Sequence, residues 1–91
     1  MAGGKTHNGI SEAVTWRKTG EEAVILNLET SEYYSANDTG TFIWELLSAG
    51  KKPGKIAEAL AAEYGIAGEQ AARDTEAFIK DLARLKILTQ E

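Results

Sequence analysis

Hydrophobic and polar positions follow two periods along this chain. Between Val14 and Ser35 apolar residues recur at every second position, as on a strand. From Asn37 onward they recur at three- and four-residue spacing, as on a helix. Val14-Thr15-Trp16-Arg17-Lys18-Thr19 alternates, which predicts a first strand with Val14 and Trp16 on one face. Gly20-Glu21-Glu22 suits a hairpin connection. A second strand over 23–28 puts Val24, Leu26 and Leu28 on one face, and Ile25 and Asn27 on the other. Glu29-Thr30-Ser31-Glu32 reads as a turn, and Tyr33, Tyr34 and Ser35 as a short third strand with Ala36 at its limit. Links this short predict an antiparallel meander whose third strand is an edge. Tyr33 and Tyr34 are neighbours on it, so one faces the core and the other faces out; alternation does not say which.

The first helix begins near Asp38 or Thr39, where Asn37 or Asp38 can accept from the free amides of the first turn. It ends near Ser48, with Gly50 as its stop, and carries Gly40, Ile43, Trp44 and Leu47 on one face. Trp44 is read as core. Pro53 fits the first position of a second helix that buries Ile56, Ala57, Leu60 and Tyr64 and stops at Gly65. A third helix over 68–85 has Ala71, Thr75, Phe78, Leu82 and Leu85 as its main stripe, and Ile87 and Leu88 fold back after it. The fold class is therefore α+β: a three-stranded antiparallel sheet plus three helices. Residues 1–9 are Gly-rich and polar and read as a disordered tail, leaving 10–91 as a single domain.

Composition narrows the function. The chain has 91 residues, 43% apolar and 26% charged, which fits one small globular domain. A net charge of −4 argues against nucleic acid as a partner, because affinity for phosphates comes from basic charge. No apolar run approaches the roughly 20 residues of a membrane span, and the N-terminus has no signal-peptide core. The expectation is a cytoplasmic protein with no membrane partner. There are no cysteines and one histidine, His7 in the tail, so neither a nucleophile–base pair nor a His/Cys metal cluster can be assembled. Glu21, Glu22, Glu29 and Glu32 fall in turns, where solvated charge is the ordinary reading. No catalytic residue, metal or cofactor is expected.

Two features point instead to binding. A short edge strand at Tyr33, Tyr34 and Ser35 leaves backbone groups that can accept an extended peptide as a further strand, although such an edge can also stay solvated. On the third helix, Ala72, Ile79 and Ala83 fall about 80° from the centre of the main stripe. Arg73, Lys80 and Arg84 border this shoulder, with Glu76 between them. The shoulder can equally pack on the sheet or Leu88, its charges serving as i,i+4 pairs such as Glu76–Lys80. If the third helix lies beside the third strand, the two features form one groove, and Ile79→Asp should weaken whatever binds there.

The ordered set Leu26-Asn27-Leu28-Glu29-Thr30, Tyr33-Tyr34, Asn37, Thr39-Gly40 and Ile43-Trp44-Glu45-Leu46-Leu47 resembles the PqqD family. Ile56, Leu60, Glu63-Tyr64, Arg73-Asp74 and 85–88 extend the likeness. The resemblance implies a winged helix-turn-helix-like RiPP recognition element, a non-catalytic peptide chaperone. Such a domain binds the leader of a ribosomally made precursor peptide and presents it to a modifying enzyme, typically of the radical S-adenosylmethionine type. It also implies that the leader adds to the third strand and packs on the third helix. The peptide-binding residues are then Tyr33, Tyr34, Ser35, Ala72, Arg73, Glu76, Ile79, Lys80 and Ala83. Two departures stand out: Ser31-Glu32 where relatives often place a glycine, and Ala67-Gly68 where many have an Asp-Pro helix start. Which pathway the domain serves stays open. The competing reading is a DNA-binding winged helix with the third helix in the major groove. Pairing of exposed edges into a homodimer is a further expectation.

Overall fold

The computed structural model describes residues 10–88; the predicted tail at 1–9, with His7, lies outside them. Three strands come first, β1 (Val14–Thr19), β2 (Glu22–Asn27) and β3 (Tyr33–Ala36). Three helices follow, α1 (Asp38–Ser48), α2 (Pro53–Tyr64) and α3 (Gly68–Arg84). The sheet is antiparallel in the order β1-β2-β3. Trp16, Ile25 and Tyr34 lie opposite one another across it, as do Thr15, Leu26 and Tyr33. Facing residues share a side, so the first trio looks toward the helices and the second away from them.

The buried side of β2 is Ala23, Ile25 and Asn27, not the more apolar Val24, Leu26 and Leu28. Ile25 packs into one core with Ile43, Trp44 and Leu47 of α1, Ile56 and Leu60 of α2, and Phe78 and Leu82 of α3. Trp16 closes that core at the β1 edge, its ring edge-on to Trp44 at 5.8 Å. Tyr64, predicted in the α2 stripe, is instead exposed and meets Phe42 edge-on at 5.7 Å. It sits in the last turn of α2.

The helix ends follow their local chemistry. The Asn37 side chain accepts from the Gly40 amide at 2.9 Å and caps α1. Pro53 opens α2, and Gly65, in the left-handed region, closes it. Ala67 opens α3 with no side-chain cap. After α3 the chain turns back: Ile87 and Leu88 are buried, and Leu88 bridges Ile10. The C-terminal segment thus pairs with residues 10–11 ahead of β1, and through residue 88 it leaves the outer edge of β3 unpaired.

Candidate functional site

Among the described residues β3 has one neighbour, β2. The Asn27 amide donates to the Glu32 carbonyl at 2.8 Å, and the pairing Ile25↔Tyr34 follows two residues on. Antiparallel bonding alternates, so Tyr34 and Ala36 turn their backbone groups toward β2. Tyr33 and Ser35 turn theirs to the free edge. The side chains alternate as well. Tyr33 is 64% exposed on the outer face, whereas Tyr34 turns inward and packs edge-on against Phe78 of α3 at 5.5 Å.

The turn that presents β3 is a bulge. Asn27 faces both Ser31, whose amide donates to the Asn27 carbonyl, and Glu32. The first residue of such a bulge needs positive φ. Ser31 takes it at +66°, where glycine is the usual occupant. The Asn27 side chain holds the turn in place and is 1% exposed. Its Oδ1 accepts from the Glu29 amide at 2.9 Å and the Thr30 amide at 3.3 Å. Its Nδ2 donates to the Lys86 carbonyl at 2.9 Å and the Leu85 carbonyl at 3.4 Å. One buried amide therefore ties the β2–β3 turn to the end of α3 and fixes the spacing of β3 and α3. The sequence reading assigned Asn27 a face but no role; a lone amide among apolar strand positions was the available signal.

Between β3, the start of α1 and α3 lies a cleft of about 350 Å³ lined by Tyr34, Gly40 and Ile43 together with Asp74, Ala77, Phe78 and Asp81. Gly40 lets the start of α1 pack closely against β3 and α3 there. A Cβ there would stand 3.2 Å from both the Ala36 Cβ and the Phe78 Cε1. Burial raises the Tyr34 phenol above its usual pKa. The Asp81 charge pushes the same way, and Arg84 opposes it. Asp81 pairs with Arg84 at 2.9 Å. The cleft thus has an aromatic floor, a carboxylate rim and an open strand edge.

The predicted residues divide between two places. Tyr33, Tyr34 and Ser35 form the edge as expected. Ala72, Glu76, Ile79 and Lys80 line a different groove, against Pro53, Gly54 and Ala57 of α2. Arg73 is exposed and Ala83 half-buried. The strand edge and the apolar shoulder therefore line two separate clefts. A buried helical stripe has two flanks; β3 lies along the one carrying Asp74, Ala77 and Asp81. Lys80 and Glu76 are 4.0 Å apart and solvent-exposed, the ordinary i,i+4 pairing. Among the described residues no group of three or more His, Cys, Asp or Glu is placed to hold a metal, and no helix is long and apolar enough to cross a membrane.

Comparison with known proteins adds the following. The model of one family, "Coenzyme PQQ synthesis protein D (PqqD)", matches residues 22–88. A solved structure, "TbiB1 in Complex with the TbiA(beta) Leader Peptide", is similar at 35% identity and a TM-score of 0.85, over 90% of this chain and 95% of that one. A second, "Lasso peptide synthetase B1 complexed with the leader peptide", is similar at 28% identity and a TM-score of 0.75, over 82% of this chain and 88% of that one. No curated protein matches.

Proposed function

The chain belongs to the PqqD family, and from that premise we propose that it is a non-catalytic adaptor for the leader of a ribosomally made precursor peptide. The observation that carries this reading is the β3 edge, unpaired among the described residues, beside the Tyr34–Phe78 cleft. The two similar structures, each a complex with a leader peptide, support it. The leader lies along β3, bonds to the backbone of Tyr33 and Ser35, and turns alternate side chains into the cleft.

Magnitudes divide the work between these parts. Four backbone bonds at about 1 kcal/mol each give about 4 kcal/mol before any ordering cost, which is only millimolar binding. Micromolar affinity needs about 4 kcal/mol more, or roughly two apolar side chains buried in the cleft. Specificity therefore rests on what enters between Tyr34, Ala77 and Phe78, and the free edge supplies register.

The adaptor delivers the leader to a peptide-modifying enzyme. A radical S-adenosylmethionine enzyme is one partner class, expected from the family resemblance. The likeness to a lasso peptide synthetase component supports a second, the processing enzyme of a lasso pathway. Co-purification with the enzyme encoded beside this gene tells them apart.

The test of leader binding is titration of isotope-labelled protein with the leader segment of the precursor encoded beside its gene. Amide shifts are expected at 33–36 and 77–81. Shifts confined to α2 and its facing flank of α3 would overturn the reading. Ala77→Arg should weaken the leader at least tenfold and Ile79→Asp less than twofold. The reverse ranking would return the site to the Ile79 shoulder.

A further inference from the structure

The seam between α2 and α3 holds the larger of the two clefts that α3 borders, about 560 Å³ against about 350 Å³ beside β3. Ala57 of α2 and Ala72 and Ile79 of α3 give it apolar walls. Thr75 lines it as well. This side chain is 2% exposed, yet its hydroxyl has no hydrogen-bond partner among the described residues. A buried hydroxyl left unpaired costs stability, and a valine would fill the same space without that cost. On a helix, threonine divides between two χ1 rotamers, so one turn about χ1 exchanges hydroxyl and methyl. The seam is thus an apolar trough with one unused hydrogen-bonding group in its wall.

The mouth of this cleft is positive, in a chain whose net charge is −4. Pro53 and Gly54, the first residues of α2, line it. The Lys52 side chain caps nothing and Pro53 has no N–H, so the amides of Gly54 and Lys55 are left without a helical partner. Lys51, Lys52 and Lys55 cluster at this helix end, and Lys80 lines the cleft from α3. Glu58 and Glu76 offset Lys55 and Lys80, at 3.7 and 4.0 Å, which leaves four cations to two anions. Helix dipole and side chains together favour an anion here. Size decides which kind. The apolar walls end at the exposed pairs Lys55–Glu58 and Glu76–Lys80, so a protein surface would meet charge on both sides and fall short of the roughly 1,200 Å² of a stable interface. A cleft of about 560 Å³ suits a small molecule.

We propose that the α2–α3 cleft binds a small amphiphilic carboxylate. Its hydrocarbon body lies along Ala57, Ala72 and Ile79, its carboxylate sits at the start of α2 near Lys80, and the Thr75 hydroxyl donates to it. The site occupies the flank of α3 away from the Tyr34–Phe78 cleft and does not depend on the leader reading.

The test titrates the isotope-labelled full chain with millimolar sodium octanoate, and with octanol as the uncharged control. Saturable amide shifts are expected at 54–57 and 72–80, with octanol at least fivefold weaker. Thr75→Val should weaken octanoate at least fivefold while the free protein melts at the same temperature or higher; Thr75→Ser should bind within twofold of wild type. Lys80→Glu, at an exposed position, should also cost at least fivefold, and it carries the test should Thr75→Val fail to fold. Octanoate without saturable shifts in the seam, octanol binding as tightly, or a Thr75→Val chain that melts lower and binds octanoate unchanged would each overturn the inference. A dimer in sedimentation velocity that Ile79→Asp dissociates would give the cleft to a second copy and overturn it too.

Discussion

Replacing Asn27 by alanine tests whether one buried amide sets the distance between the β2–β3 hairpin and α3. The side chain is 1% exposed and makes two bonds at 2.9 Å, to the Lys86 carbonyl and from the Glu29 amide, with longer ones at 3.4 and 3.3 Å to Leu85 and from Thr30. Truncation leaves the part-buried Lys86 carbonyl and the Glu29 amide without these partners. Each short bond is worth about 1 kcal/mol net, and each orphaned group adds a desolvation penalty of similar size, so the loss is about 2–4 kcal/mol. For a domain of this size the whole stability is about 5–13 kcal/mol, and the melting temperature should fall by about 10–25 °C. Urea unfolding followed by the fluorescence of Trp16 and Trp44, which touch across the core, reads the change. Asn27→Asp sharpens the test. It keeps the acceptor but sets a buried carboxylate against two carbonyls, which raises that carboxyl's pKa. The folded state then holds a proton that the unfolded chain releases near pH 4. The variant is weakest at neutral pH and recovers as pH falls toward 4. An Asn27→Ala variant that loses less than about 0.5 kcal/mol, or an Asn27→Asp variant with no acid recovery, would refute the argument.

Three smaller changes test the local reasoning. Ser31 holds a φ of +66°, so Ser31→Gly should add up to about 1 kcal/mol of stability, read as a higher urea midpoint. Ala67 starts α3 without a cap and Gln70 stands three residues on, so Ala67→Ser should supply a capping box and add about 0.5–2 kcal/mol. The Tyr34 phenol titrates above its usual value of 10.0 because it is buried and near Asp81. The folded state thus keeps a proton that the unfolded chain loses. Stability contributed by this group is intact below pH 10 and falls as pH rises through the folded value, and Tyr34→Phe should flatten that part of the alkaline decline in urea titrations.

The elements were legible because period and punctuation agree. Val14–Thr19 alternates between two turn signals, Asn37 caps α1, and Pro53 and Gly65 bracket α2, so these bounds fell at or near the observed ones. Sides were harder. β2 carries apolar residues on both faces, and apolarity alone favours Val24, Leu26 and Leu28 as the core face. The protein buries Ala23, Ile25 and Asn27 instead, because small residues let the helices approach and Asn27 finds four partners that no local pattern reveals. Likewise nothing in the sequence separates Tyr33 from Tyr34; register with Ile25 decides it.

The α3 flank shows why a site is harder to read than a fold. Helical spacing gives the angle of each residue from the buried stripe, but the sign of that angle relative to β3 depends on how α2 and α3 pack. The more apolar flank, with Ile79, lines a groove together with Pro53 and Ala57 of α2. On the proposed leader reading the flank toward β3 can be less apolar, because an extended peptide brings its own apolar side chains and backbone bonds. On that reading the helix would supply room at Ala77, an aromatic floor at Phe78 with Tyr34, and a charged rim that limits which peptides enter. A cleft used in that way, hydrated when empty, would carry a weaker hydrophobic signal than the packing seam on the other side of the same helix.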